Sequence, residues 1–559
     1  MFRRPEMKRL ILILLSFILI VVLSACTTPY ETKQLDDILN TLYDIRDTID
    51  TIPPSLFQPP LLPDEDGTVF LAEDSDFLRR TKTGTLTVGM VRNSAAFDPC
   101  LSSFAAGMDL VYDTLFSAGQ DGEICGVLAE EWEYRDETHL YIKLRDASFS
   151  IGDPVTAEDC LWSLKRFADS DSRWRHLFDF LDFENSKTLS KTEFVLAMKD
   201  EFAPAFRYLS SYFSSILDKD YCTSVGEDAF LTQPIGSGPY TYTAGETESE
   251  YTFDLRDDYW DTENVPRADR IRIRLYDDSA AMLVDYEAGD LDMAFCLDST
   301  DAKRLLNGDI ADTNYVIRPE KDVYSLFLPE HVEAFSDVRV RHAIALAVDW
   351  NAVRESGMGI LCRESDSVLP ADVFGKVSCG TYAYDPDAAM VLLDEAGYDY
   401  GQSFEFVVGN SDADIRMAKT IQHDLASVGI NVHIDICEPD EAEIRFRNGE
   451  TDLLLYRYDV PVLDPDQAFD AVSSWSENDA VRISEEPLPT YLTIGRWSAD
   501  ASIREESYFN AQAWMYEYLR QIAFAEPYGC YCWRPYIDSG FRCDSVFMPN
   551  LRLVCFLDS

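Results

Sequence analysis

The chain has 559 residues, with 48 Lys plus Arg against 100 Asp plus Glu, a formal net charge of −52. At about 100–200 residues per domain, this length suggests about three or four domains or lobes. The 46 % hydrophobic content supplies large cores, which excludes a globally disordered chain. The acidic excess argues against nucleic acid, whose phosphates are met mainly by Lys and Arg, and against a surface that clings to anionic lipid.

The N-terminus carries Arg3, Arg4, Lys8 and Arg9, then an apolar run from Leu10 to Leu23 broken only by Ser16. That run has 14 residues, fewer than the roughly 20 that span a bilayer. A basic head, a short apolar run and small residues after it read as a secretory signal over 1–25. A short membrane anchor or a buried helix is the alternative. Leu23-Ser24-Ala25-Cys26 resembles the bacterial lipoprotein signal. That resemblance implies cleavage before Cys26, acyl chains on Cys26, and a protein held outside the cytoplasm on the cell membrane. Two or three acyl chains anchor stably where one is marginal. The processed chain would hold 44 basic and 99 acidic residues, a net charge of −55, which keeps the body off an anionic membrane.

Residues 26–80 read as a spacer. Leu35, Ile38, Leu42, Ile45 and Ile49 have helical seam spacing over barely two heptads. Pro53, Pro54, Pro59, Pro60 and Pro63 then break any helix. The body starts near Gly84, and Thr85 to Met90 alternates like a strand. Thr156 to Phe167 reads as a helix capped by Thr156. Ile271 to Leu275 alternates as a half-buried strand. Val338 to Val348 reads as a buried helix, and Asp385 to Ala396 as a helix stopped by Gly397. Val432 to Ile436 and Asp452 to Tyr458 read as strands, Ser507 to Ala523 as a long helix, and Gly529 to Tyr536 as a late strand. Mixed helix and strand over this length predicts a multi-lobed α/β protein.

Thirteen Cys are present, twelve besides Cys26. Their pairing is not readable from sequence. Cys530-Tyr531-Cys532 is the only tight pair and has no partner pair at zinc spacing. Scattered buried thiols are the simpler reading, and no metal or other cofactor is expected. Enzyme signatures are missing. There is no G-x-S-x-G elbow and no H-E-x-x-H, and His139, His176, His331, His342, His423 and His433 are dispersed. Counting among 100 acids singles out no catalytic pair, so no catalytic residue is assigned. There is no P-loop, which leaves any ATP to partner subunits.

Ordered blocks across the body carry a resemblance. They are Gly84–Gly89 with Phe97–Pro99, Val111–Leu115, Val127–Trp132, Tyr141–Arg145 with Phe149–Asp159, Pro234–Tyr240, Asp257–Trp260, Ala288–Asp292, Asp337–Asp349 and Tyr384–Tyr398. In this order they resemble the extracytoplasmic solute-binding proteins of peptide- and nickel-type ABC importers. The resemblance implies a two-lobed α/β periplasmic-binding-protein-like fold, with a ligand cleft between the lobes and an extra subdomain in lobe I. The expected division is lobe I over 81–318, lobe II over 319–527 and a return to lobe I over 528–559. Much of the shared signature also has a scaffold reading, with Gly236, Gly238 and Pro239 supplying a tight turn.

The resemblance implies a monomeric receptor that captures a small peptide and delivers it to an ABC permease and its ATPase. Nickel chelate, haem or oligosaccharide binding, pheromone sensing and a secreted hydrolase are the alternatives. Asp459 falls where peptide binders place the acid that pairs with the ligand's α-ammonium. A desolvated ammonium needs a charged acceptor, although Asp459 also reads as a solvated loop acid. Tyr456 and Tyr458, two apart on one strand face, either stack on ligand or pack. By the same resemblance Asn93 and Ser94 fall where the family's first loop lines the cleft, and they also read as ordinary turn residues.

Overall fold

The structure is a computed structural model, and it describes residues 69–70, 84–91, 97–100, 107–118, 124–172, 174–244, 249–371, 373–460, 462–469, 482–539 and 550–557. Contacts divide the chain into two units, Met1–Asp74 and Ser75–Ser559. The described part of the first unit is the two-residue strand Val69–Phe70. The expected signal over 1–25, Cys26 and the 35–49 helix lie outside the described residues.

In the second unit the principal strands are β1 Thr85–Val91, β2 Ala129–Asp136, β3 His139–Leu144, β4 Glu193–Ala197, β5 Tyr240–Ala244, β6 Glu250–Leu255, β7 Arg270–Tyr276, β8 Met293–Phe295, β9 Asn314–Pro319, β10 Asp322–Phe327, β11 Cys362–Glu364, β12 Ser403–Gly409, β13 Asn431–Cys437, β14 Leu453–Asp459 and β15 Gln521–Trp533. A continuous sheet has the order β13-β12-β14-β10-β15-β8-β1-β7-β6-β5. Strand β15 holds the two halves together. Its first residues pair with β10, from Gln521↔Phe327 to Ala525↔Tyr324. Its last residues pair with β9, from Tyr528↔Pro319 to Trp533↔Asn314. The chain therefore passes between the halves twice, once between Pro319 and Asp322 and once, antiparallel, within β15.

Each half has its own core. The first lobe packs Leu86, Val88, Phe253, Ile271, Ile273, Phe295 and Tyr531 together. The C-terminal Leu551 and Val554 join that core, and Arg552 donates to the Asp113 carboxylate at 2.8 Å. A subdomain inserted in this lobe has its own sheet, β2-β3-β4, and a core including Phe149, Leu164, Phe178, Phe194 and Tyr208. The second lobe is a helix–sheet–helix sandwich. One face of its sheet packs Leu326, Ile344, Phe406, Ile421 and Leu455, and the other packs Phe327, Val407, Leu454, Tyr458, Tyr508 and Met515.

Local chemistry explains the element ends. Helix α1, Ala157–Ala168, starts at a full capping box between Thr156 and Asp159, an arrangement whose cap alone contributes about 1 kcal/mol. Helix α2 is Val338–Ala347, capped by Asp337. Helix α3, Pro386–Ala396, is capped by Asp385 and ends at Gly397 with φ 68°, the left-handed cap that glycine adopts without strain. The sequence misplaces one boundary. The long helix is α4, Ala501–Tyr518, ended by Leu519 in the left-handed conformation, and the strand starts at Gln521 and ends at Trp533. All but one residue of β15 are buried, so no alternation marks it, and Ile522 to Ala525 extends the apolar look of the helix.

The glycines of Pro234–Tyr240 need a different reason from the one the sequence suggests. Neither has a positive φ. A Cβ on Gly236 would collide with the Val111 carbonyl, and one on Gly238 would come within 2.6 Å of it. Close backbone approach, rather than turn geometry, requires glycine here.

Candidate functional site

Strand β14 runs parallel to β12, and β12 runs parallel to β13. In open parallel sheets, ligands bind beyond the carboxyl ends of the strands, and Asp459 is the last residue of β14. Its antiparallel neighbour β10 begins immediately after the crossing from the first lobe. The register is Asp322↔Asp459, Val323↔Tyr458, Tyr324↔Arg457 and Ser325↔Tyr456. Directly opposed residues share a face. Asp322, Tyr324, Arg457 and Asp459 therefore form one face, and Val323, Ser325, Tyr456 and Tyr458 the other.

The first face is a charged cluster at the junction of the lobes. The Arg457 guanidinium is paired with Asp322 and with Glu320. Asp459 adds a third carboxylate whose charge reaches both Asp322 and Arg457. Arg457 keeps 41 % of its side chain exposed, whereas Asp322 keeps 3 %. Glu320 also accepts from the Tyr531 hydroxyl at 3.3 Å. A Cβ on Gly529 would lie within 2.6 Å of Glu320 Oε1, so glycine lets the carboxylate rest against β15. Tyr324 hydrogen-bonds Asp414, whose carboxyl also accepts from Ser411 Oγ at 2.6 Å.

Asp322 and Glu320 share the Arg457 cation, and Asp459 lies on the same face beside them. Burial pushes the Asp322 carboxyl well above its ordinary pKa; Arg457 opposes this, while Glu320 and Asp459 reinforce it. Burial also raises Asp414. Burial works against the charge on Arg457, but Asp322 and Glu320 hold it firmly protonated. Burial pushes the Cys296 thiol, which faces the same cluster from the first lobe, up to about 12, with a contribution from Glu320. Asp322 Oδ1 is buried and has no hydrogen-bond partner among the described residues. The arrangement can take a cationic group by direct contact with carboxylate.

The sequence-derived residues separate here. Asp459 is half-buried in this cluster, and its backbone carbonyl accepts from Gln467 Nε2 at 3.1 Å. Tyr458 is 4 % exposed within the second-lobe core, and its hydroxyl donates to the Gln467 carbonyl at 3.0 Å. Tyr456 donates to Glu443 Oε2 at 2.8 Å and packs against the same core. Both tyrosines lie on the strand face opposite Asp459. Asn93 and Ser94 lie outside the described residues. Asp98, beside them in sequence, is buried and salt-bridged to Arg166 at 2.6 Å. Glu320, Asp322 and Arg457 escaped the sequence reading. The signal available for the first two was their place at the expected lobe crossing, immediately after Pro319.

Among the described residues, no group of three or more His, Cys, Asp and Glu is placed to hold a metal ion. The eleven described cysteines are free thiols, and Cys530 and Cys532 are buried within β15.

Known proteins bear on the whole arrangement. The profile of "Bacterial extracellular solute-binding proteins, family 5 Middle" matches residues 123–480, more than half the chain. The di/tripeptide-binding protein 2 of Pseudomonas aeruginosa is 24 % identical over 484 residues, covering 79 % of this chain and 90 % of that protein. The nickel-binding periplasmic protein of Escherichia coli is 23 % identical over 376 residues, covering 62 % of this chain and 70 % of its own. Among solved structures, the periplasmic binding protein DppA of Helicobacter pylori with the peptide STSA superposes with a TM-score of 0.74. It is 19 % identical and covers 86 % of this chain and 99 % of its own. The agropinic-acid complex of AgaA from Agrobacterium tumefaciens has a TM-score of 0.75 at 21 % identity, covering 85 % and 99 %. The two-lobed α/β fold is thus the fold of the periplasmic binding proteins, and the chain belongs to the bacterial extracellular solute-binding proteins, family 5.

Proposed function

We propose that this protein is the receptor of an ABC importer that captures a short peptide outside the cytoplasm and delivers it to a membrane permease. Asp459 accepts the peptide's α-ammonium, with Glu320 supplying further negative charge. The observation that carries this reading is the acid cluster at the lobe junction, where Glu320 and Asp322 pair with Arg457 and Asp459 ends the same strand face. Charge-assisted bonds to a desolvated ammonium are the strong kind. The names of the di- and tripeptide-binding relatives support the same substrate class.

The work is selective binding with lobe closure, and no bond is made or broken. The lobes correspond to 81–318, 319–527 and the returning 528–559. The receptor acts as a monomer, anchored to the cell membrane through acylated Cys26. Native mass spectrometry of the purified body tests the ligand class. A ladder of peptide masses is expected; a nickel chelate, a haem or a sugar overturns the peptide reading. For the anchor, Cys26→Ala is expected to release the protein from the membrane fraction, and retention there removes the acyl anchor.

A further inference from the structure

We infer that Tyr208, Asp466 and Arg496 form a latch that holds the two lobes closed, and that Gln467 couples this latch to Asp459. The inference rests on reading the protein as a closing receptor, and adds the residues that hold it shut.

Tyr208 lies on the short helix Ala205–Leu209 of the inserted subdomain and is 1 % exposed. Its hydroxyl donates to Asp466 Oδ2 at 2.7 Å. Asp466 sits on the turn of helix Pro465–Ala468, beyond β14 in the second lobe. Arg496 Nη1 donates to the same oxygen at 2.7 Å. Apolar contacts surround the trio. Phe202 and Trp497 approach to 5.6 Å between ring centroids, and the Arg496 guanidinium lies 5.0 Å over the Phe202 ring. Val462, from the second-lobe segment after β14, packs into the inserted subdomain's core.

This contact suits a reversible seal. Asp466 and Arg496 belong to the same lobe and stay paired if the lobes part. Parting then loses the Tyr208 bond and a small apolar patch, and water replaces both. The contact is also tied to the ligand acid. Gln467, next to Asp466, donates from Nε2 to the Asp459 carbonyl at 3.1 Å and accepts the Tyr458 hydroxyl on its own carbonyl at 3.0 Å. Arg504 clamps the neighbouring Asp464 at 2.8 Å. A load on Asp459 therefore reaches Asp466 through a segment braced at both ends.

The test is hydrogen exchange and small-angle scattering on wild type, Tyr208→Phe and Asp466→Asn, as purified and after refolding from denaturant to strip ligand. Tyr208→Phe keeps the ring and removes only the bond. It is expected to raise exchange about tenfold in the Phe202–Phe213 and Leu463–Phe469 segments together, the loss of one hydrogen bond to a charged group. Its radius of gyration is expected to rise, while exchange in the β12–β13 core stays unchanged. Identical exchange and radius in wild type and Tyr208→Phe under both conditions overturns the latch, even if Asp466→Asn fails to fold. The stripped-protein readouts need no ligand, so they stand whether or not the natural ligand is a peptide.

Discussion

Asp322 and Asp459 oppose one another across two antiparallel strands, and the single guanidinium of Arg457 bonds Asp322 between them. A pair of acids on one face repels unless a cation or a proton intervenes. Arg457 supplies part of the compensation and Glu320 draws on the same cation.

The pH dependence of stability follows from Asp322. Burial raises its carboxyl above the ordinary value of 3.8, so the folded chain keeps this proton to higher pH than the unfolded chain. Its contribution is fully present below the ordinary value and is lost as pH rises through the raised folded value. Asp322→Asn carries no such titration. The melting temperature of wild type relative to Asp322→Asn should therefore fall as pH rises from about 4 to about 8. A constant difference across that range, read by thermal unfolding, would show Asp322 ionised throughout.

Tyr456→Phe should affect the scaffold and not the ligand. The hydroxyl gives one hydrogen bond to Glu443, a charged acceptor, worth about 1.5–3 kcal/mol when partly buried. Urea unfolding should show a loss of that order, with ligand affinity unchanged. A large fall in affinity at wild-type stability would return Tyr456 to the binding surface.

Gly236→Ala should be severely destabilising, because the new Cβ meets the Val111 carbonyl and backbone cannot step aside as a side-chain end can. Overpacking of this kind costs about 1–3 kcal/mol or more. Thermal denaturation at wild-type stability would mean that the two segments are not in contact.

Much of the scaffold was legible in the sequence because its signals are local. Thr156, Asp385 and Gly397 mark helix ends by their own side chains or their lack of one, and the structure uses them so. Strand β15 was half-read because burial on both faces erases alternation. Of the acids in the cluster proposed to meet the ligand, only Asp459 was singled out from the sequence. Its odd-numbered place on β14 already sets it opposite Tyr456 and Tyr458, since side chains alternate along a strand. Of the two readings open to Tyr456 and Tyr458, stacking on ligand or packing, the structure shows their contacts with the second-lobe core. Glu320 and Asp322 were hidden among 100 acids, because the register that brings them to Arg457 is a long-range pairing no local pattern encodes.

Under the proposed function, the Asp459 carboxylate recognises a peptide's free N-terminus. The most direct measurement is calorimetric titration of wild type and Asp459→Asn with a peptide identified in the purified protein and with its N-acetylated form. Wild type should bind the free peptide at least about tenfold more tightly than the acetylated one, and Asp459→Asn should abolish most of that difference, as expected for one charge-assisted bond. Equal affinity of wild type for both forms, or an unchanged preference in Asp459→Asn, would contradict the account.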